Sequence, residues 1–235
     1  MEDISKKYDS FLAASILIAA ILISGSIIYA VGVKNSGTQT ANIKEAAELS
    51  NKPEIGDDVI LGDPSAPVTV FIFSDYQCPF CAKFYKETEQ LIIKNYVNSG
   101  KAKLVYKDLA FLGLESLAAS EASNCAKDQG KYWDYHDAIF EVELQEMNFG
   151  NSENTGNLNR DEFEKIAKNL EMNVDDFLSC FDSKKYDSEI ERDINEAKAA
   201  IPKISTPTIF INDKMIQGAY PYAVFSQAID EALKD

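Results

Sequence analysis

Cys78-Pro79-Phe80-Cys81 puts two thiols about one helical turn apart, and three kinds of chemistry use such a pair. Half of a zinc site is one. Its other half would have to come from the distant Cys125 and Cys180, without a second CxxC and with His136 as the chain's one histidine. Two inert core thiols are the second. The third is a dithiol/disulfide pair on a strand-to-helix turn, which the flanking sequence favours. Val68-Thr-Val-Phe-Ile-Phe73 ends just before the pair, and a helical spacing of Phe80, Phe84, Leu91, Ile92 and Tyr96 begins with it. Near a helix N-terminus, free N–H groups and aligned peptide dipoles favour a thiolate at Cys78. Pro79 suits the first helical position, where no N–H is needed. Cys81, one turn on, returns beside Cys78 and can resolve a mixed disulfide formed there.

Ser205-Thr206-Pro207-Thr208 is the second piece of a candidate site. A proline opening an otherwise good strand is out of place in a sheet interior. A cis Thr206–Pro207 bond in a tight bend would account for it, and a trans proline at a strand edge is the alternative. Cys125 and Cys180 are either two buried thiols or one structural disulfide, and an oxidising compartment favours the bond. Closing a loop of that length contributes roughly 3–4 kcal/mol in a chain-entropy picture. His136 stands in YWDYHDAIF among aromatics at helical spacing, and reads as a packed or hydrogen-bonded residue rather than a base. Lys83 and Lys86 flank the helix start, either as solvated cations or as positive potential near Cys78. Tyr76 and Phe80 either rim the site or pack. No metal-ligand set and no cofactor motif accompanies these residues.

The elements around them follow from spacing. Residues 68–73 read as a strand buried on both faces, 79–97 as a helix, and 103–109 as a second strand, together a βαβ unit. From about 114 to 201 the pattern is helical, interrupted at Gly130 and in the loop 147–159. Asn159 with Glu162 predicts a capped helix over 160–170. Pro202 ends the last helix, residues 208–211 and 214–217 form a hairpin across Asn212-Asp213, and 222–233 is an amphipathic helix.

The chain has 235 residues and a net charge of −15, with only two arginines among 23 basic residues. So acidic a surface repels phosphate backbones and excludes nucleic acid as a partner. Phe11 to Val33 is an uncharged run whose helix would rise roughly 34 Å, enough to cross a bilayer. Residues 1–33 are therefore read as a tail and retained transmembrane anchor, 34–58 as a polar linker, and 59–235 as the folded domain. The alternative is a cleaved signal peptide, against which the length of the run and the poor small-x-small site at Ile28-Tyr29-Ala30 argue. Lys6 and Lys7 before the run balance Lys34 and Lys44 after it, so charge does not orient the anchor.

With these pieces in place, the sequence resembles the DsbA-like branch of thioredoxin-fold disulfide oxidoreductases. The match rests on Leu61-Gly-Asp-Pro-Ser-Ala-Pro67, Phe73-Ser-Asp-Tyr-Gln-Cys-Pro-Phe-Cys81, Gln129-Gly-Lys-Tyr-Trp-Asp-Tyr-His-Asp137 and Ser205-Thr-Pro-Thr-Ile-Phe-Ile-Asn212 with Gly218. The resemblance implies an α/β thioredoxin fold, core about 59–112 and 202–235, with a helical insertion about 113–201. It implies Cys78 as the substrate-facing sulfur, Cys81 as its partner, a cis Pro207, and Thr206 pairing with an extended substrate. Two departures stand out. Ile72 occupies the position six before Cys78 where many relatives carry a buried carboxylate, leaving Asp75 as a candidate substitute. Phe80 stands where the best-known motif has histidine, which argues against a strongly oxidising pair. The expected activity is disulfide exchange with exported, cysteine-containing proteins, as an oxidase reoxidised by a quinone-linked membrane thiol oxidase. A reductase or isomerase, or a peptide-holding chaperone, is the alternative. Such chemistry needs an oxidising side, which places residues 34–235 outside the cytoplasm at a single-pass anchor.

Overall fold

The structure, a computed structural model, describes residues 52–148 and 153–234. The apolar run 11–33 and the linker up to residue 51 lie outside the described residues. Among the described residues, no helix is long and apolar enough to cross a membrane.

The described residues begin with β1 (Ile60–Leu61) and β2 (Val68–Ser74). Helix α1 covers residues 79–97, with α turns Pro79–Phe84 and Gln90–Ile92 alternating with π turns Tyr85–Glu89 and Ile93–Val97. It leads to β3 (Ala102–Asp108). Five helices follow: α2 (Leu114–Lys127), α3 (Tyr132–Asn148), α4 (Arg160–Asn169), α5 (Val174–Asp182) and α6 (Asp187–Ala200). The hairpin of β4 (Thr208–Ile211) and β5 (Lys214–Gln217) and helix α7 (Tyr222–Ala232) close the chain. The sheet order is β1-β3-β2-β4-β5. β2 runs parallel to β3, with Val68 opposite Ala102, and antiparallel to β4, with Phe73 opposite Thr208.

Alternation explains why β2 is apolar throughout. Val68, Val70 and Ile72 face a core shared with Leu104, Tyr106, Ile209, Ile211, α1, α7 and most of the helical insertion. Phe71 and Phe73 face the other way, with Val105 and Phe210, onto Ala197, Ala200 and Ile201 at the end of α6. Thus α6, counted with the insertion from sequence, covers the second face of the sheet. The edge strand β1, two residues long, is too short to show periodicity in the sequence. Asn159 caps α4 by accepting from the main-chain N–H groups of Asp161 and Glu162.

Residues assigned to the linker also join the fold. Ile55 packs into the second core. Asp58 pairs with the buried Lys107 ammonium at 2.5 Å, and Glu196 and Asp193 complete its shell at 2.9 and 3.4 Å. Burial works against that ammonium, but Asp193 and Asp58 outweigh it and raise the Lys107 pKa.

Candidate functional site

β2 ends at Ser74, and the chain turns through residues 75–78 into α1. Cys78 N–H donates to the Asp75 carbonyl at 3.0 Å. Cys78 is the N-cap in extended conformation, and Pro79 follows at the first helical position. The N–H groups of Cys81 and Ala82 return to the Cys78 carbonyl at 2.9 and 3.0 Å, which starts the helix. Both cysteines are free thiols, Cys81 wholly buried and Cys78 nearly so.

The two thiols differ electrostatically. Cys78 is pulled from 9.0 down to about 6, first by a hydrogen bond from the Cys81 thiol. Burial opposes this, while the Thr206 side chain and the main-chain N–H groups of Cys81 and Phe80 add to it. Burial first, and the Cys78 sulfur second, push Cys81 well above the ordinary thiol range. One outer thiolate beside one inner protonated thiol is the arrangement that thiol–disulfide exchange uses.

The loop before β4 supplies the facing wall. The Thr206–Pro207 bond is cis, and the Thr206 carbonyl lies 3.7 Å from Cys78 Sγ. Gln217 on β5 donates to the Lys203 carbonyl at 2.9 Å and to Ser205 Oγ at 3.0 Å, and Gly218 N–H donates to the Pro207 carbonyl at 2.8 Å. Gly218 does so at φ +109°, a conformation that side chains resist. Residues separated by well over a hundred positions are thereby brought together at one end of the sheet.

Asp75, the candidate substitute proton acceptor, is buried beside the cysteine turn and held by main-chain donors. Its carboxylate accepts from the N–H groups of Gln77 at 2.9 Å, Phe111 at 2.9 Å and Leu112 at 3.1 Å. It clasps the loop after β3 to the cysteine turn, and its pKa is raised, first by burial. The groups that counter burial at Cys81 are the Asp75 main chain and the Ser74 hydroxyl. Ser74 carried no distinguishing signal, because a serine at a strand end is ordinary.

His136 is fully buried, with Tyr76 Oη 3.1 Å from Nδ1 and Glu89 Oε1 3.1 Å from Nε2. Tyr106, Trp133 and Phe140 surround its ring. Gln77, beside Cys78, donates to Glu143 at 3.0 Å and accepts from the Asn154 N–H, which ties the turn to α3 and the following loop. Glu89, His136 and Asp137 bring possible ligand atoms together, but His136 already uses both ring nitrogens within the protein. Cys125 and Cys180 lie far from the turn in sequence and are joined by a disulfide between α2 and α5, with Cα atoms 5.8 Å apart.

A strand–turn–helix dithiol facing a cis-proline loop defines a thioredoxin-fold disulfide oxidoreductase of DsbA type. The chain belongs to the thioredoxin family, whose profile, described as Thioredoxin, matches residues 54–231. It is 29% identical over 189 residues to Disulfide bond formation protein D of Bacillus subtilis strain 168, covering 79% of this chain and 82% of that one. The oxidised BdbD structure from Bacillus subtilis is similar at a TM-score of 0.69 and 26% identity, covering 79% of this chain and 97% of that one. Alpha-DsbA1 of Wolbachia pipientis shares the fold, with a TM-score of 0.66 at 22% identity over 77% of this chain and 93% of that one. The chain is thus a protein-disulfide oxidoreductase homologue whose helical region is an insertion in a thioredoxin fold.

Proposed function

We propose that the protein is an extracytoplasmic thiol:disulfide oxidase that forms disulfides in exported proteins through Cys78 and Cys81. The observation that carries this reading is the contrast between the two thiols: Cys78 held at about 6 and Cys81 held well above 9.0. A stabilised thiolate stabilises the dithiol form, which makes the disulfide form a better oxidant.

In the proposed reaction a substrate thiolate attacks Cys78 Sγ of the Cys78–Cys81 disulfide. The S–S bond breaks, and its electron pair leaves on the Cys81 sulfur, which takes up a proton. A second substrate thiolate attacks the substrate sulfur of the mixed disulfide and expels Cys78 as a thiolate. Two substrate thiols become one disulfide, and the enzyme is left as a dithiol. Thr206 and Pro207 hold the substrate as an added strand beside Cys78, and the Cys125–Cys180 bond is a structural staple. Reoxidation falls to a quinone-linked membrane thiol oxidase, and an anchor at residues 11–33 keeps the two partners at high effective concentration.

Oxidation of a reduced, unfolded model protein tests the reading. The oxidised wild type should restore its disulfides, and Cys78→Ser and Cys81→Ser, which have no disulfide to donate, should not. Offered a disulfide-bonded model protein instead, the Cys78 thiolate of Cys81→Ser should attack that disulfide and stay trapped as a mixed disulfide. Oxidation by Cys78→Ser at the wild-type rate would overturn it.

A further inference from the structure

Phe80, 63% exposed, stands as a crest between two grooves beside the cysteine pair. One groove runs along the cis-proline loop, where the proposed substrate strand lies. The other, about 350 Å³, has Phe80, Leu144 and Met147 as apolar walls and Lys83, Lys86 and Glu87 as its charged groups. Lys83 lines both grooves.

These cations are out of character for the chain. Its acidic residues outnumber the basic ones 38 to 23. Helices α2 to α6 each place one or two acids in their first turn, as the helix dipole favours, whereas the first turns of α1 and α7 carry none. Lys83 and Lys86, three apart, share one face of α1. Internal pairing does not consume Lys83: Glu87 stands 4.0 Å away and both side chains are at least half exposed. The largest causes that lower the Cys78 thiol are the Cys81 thiol, the Thr206 side chain and main-chain N–H groups rather than either lysine. A pocket with apolar walls and two lysines against one glutamate thus opens beside Pro79, the residue after the reacting Cys78, in a protein of net charge −15.

We propose that this second groove reads the substrate segment on the far side of its cysteine, and that it favours a bulky apolar residue accompanied by aspartate or glutamate. The inference rests on the oxidoreductase reading and adds a substrate class to it. The apolar side chain covers Phe80 between Leu144 and Met147, and the carboxylates replace water around Lys83 and Lys86. Contacts of this kind act over a few ångströms, so they discriminate among docked segments despite the chain's overall negative charge.

The test uses two dithiol peptides that differ only in carrying two Glu or two Lys beside an apolar residue next to the cysteine. At about 100 mM salt, where charges beyond about 10 Å are largely screened but contacts in the groove are not, the oxidised protein should oxidise the acidic peptide about tenfold faster, shrinking to about twofold at about 1 M. In Lys83→Glu/Lys86→Glu the preference should invert. A merely structural role for the lysines would not invert it. Equal rates in the wild type, or an acidic preference unchanged in the double variant, would overturn the proposal. Binding of the same peptides with Ser in place of Cys separates the two levels of inference. Tighter binding of the acidic peptide with no oxidation of either dithiol peptide would keep the groove and sink the oxidase reading. Oxidation of both dithiol peptides with no preference in rate or binding would sink the groove alone.

Discussion

At Cys78 the balance between burial and hydrogen bonding decides the chemistry. Nearly complete burial opposes a thiolate, yet the Cys81 thiol, the Thr206 side chain and two main-chain N–H groups bring Cys78 down to about 6. A thiol at 9.0 would be about 1% ionised at pH 7, and one at about 6 is mostly ionised. Titration of the reduced protein by thiolate ultraviolet absorbance should therefore show one step centred near pH 6 and none from Cys81 below pH 9. The step should vanish in Cys78→Ser, and a single step near 9 in the wild type would contradict the assignment. The value lies below thioredoxin's, about 7, and above DsbA's, about 3.5, which fits Phe80 at a position where a histidine would add positive charge.

Elements fix those residues in place, and two predictions belong to them. Lys107 on β3 sits among Asp58, Asp193 and Glu196, joining the segment before β1 to α6. Lys107→Met should cost about 3–5 kcal/mol in urea unfolding, because it leaves buried carboxylates without their cation. No loss would show that these acids are neutral in the fold. Replacing both Cys125 and Cys180 by alanine should cost roughly 3–4 kcal/mol while leaving the Cys78 titration unchanged, since the bond ties α2 to α5. A shifted titration would show instead that this disulfide shapes the redox turn. Much of this frame was legible in the sequence. The β2 run, the proline after Cys78, the Asn159 cap and the Thr-Pro-Thr strand start each express a local rule. What was hidden depends on partners distant in sequence. The clasp of Asp75 on residues 111–112, the anchoring of His136 by Tyr76 and Glu89, and the burial of Lys107 have no local signature. Each requires knowing which strand end meets which helix. The two π turns in α1 were equally invisible, since apolar spacing alone reads as a regular helix.

The whole molecule carries its acidity unevenly. Burial is the first cause that lifts Asp108, Glu121 and Glu143 each to about 7. These folded-state values lie above the unfolded ones near 4, so the folded protein binds more protons between pH 4 and 7. Their contribution favours folding below about pH 4 and is lost as pH rises to about 7. Exposed carboxylates such as Glu164 and Asp182 are lowered by Lys168 and Arg160, and their contribution disappears on acidification. The protein should therefore be most stable near pH 5, with a thermal midpoint roughly 5 °C or more above that at pH 8, and a monotonic rise toward pH 8 would contradict this. The same energetics govern the redox cycle, because whatever stabilises the Cys78 thiolate makes the Cys78–Cys81 disulfide more oxidising. Equilibration of that disulfide with glutathione is the most direct test of the proposed oxidase. The expected potential lies above thioredoxin's, about −270 mV, and below DsbA's, about −120 mV. A value at or below about −270 mV would contradict the oxidase and place the protein among reductases.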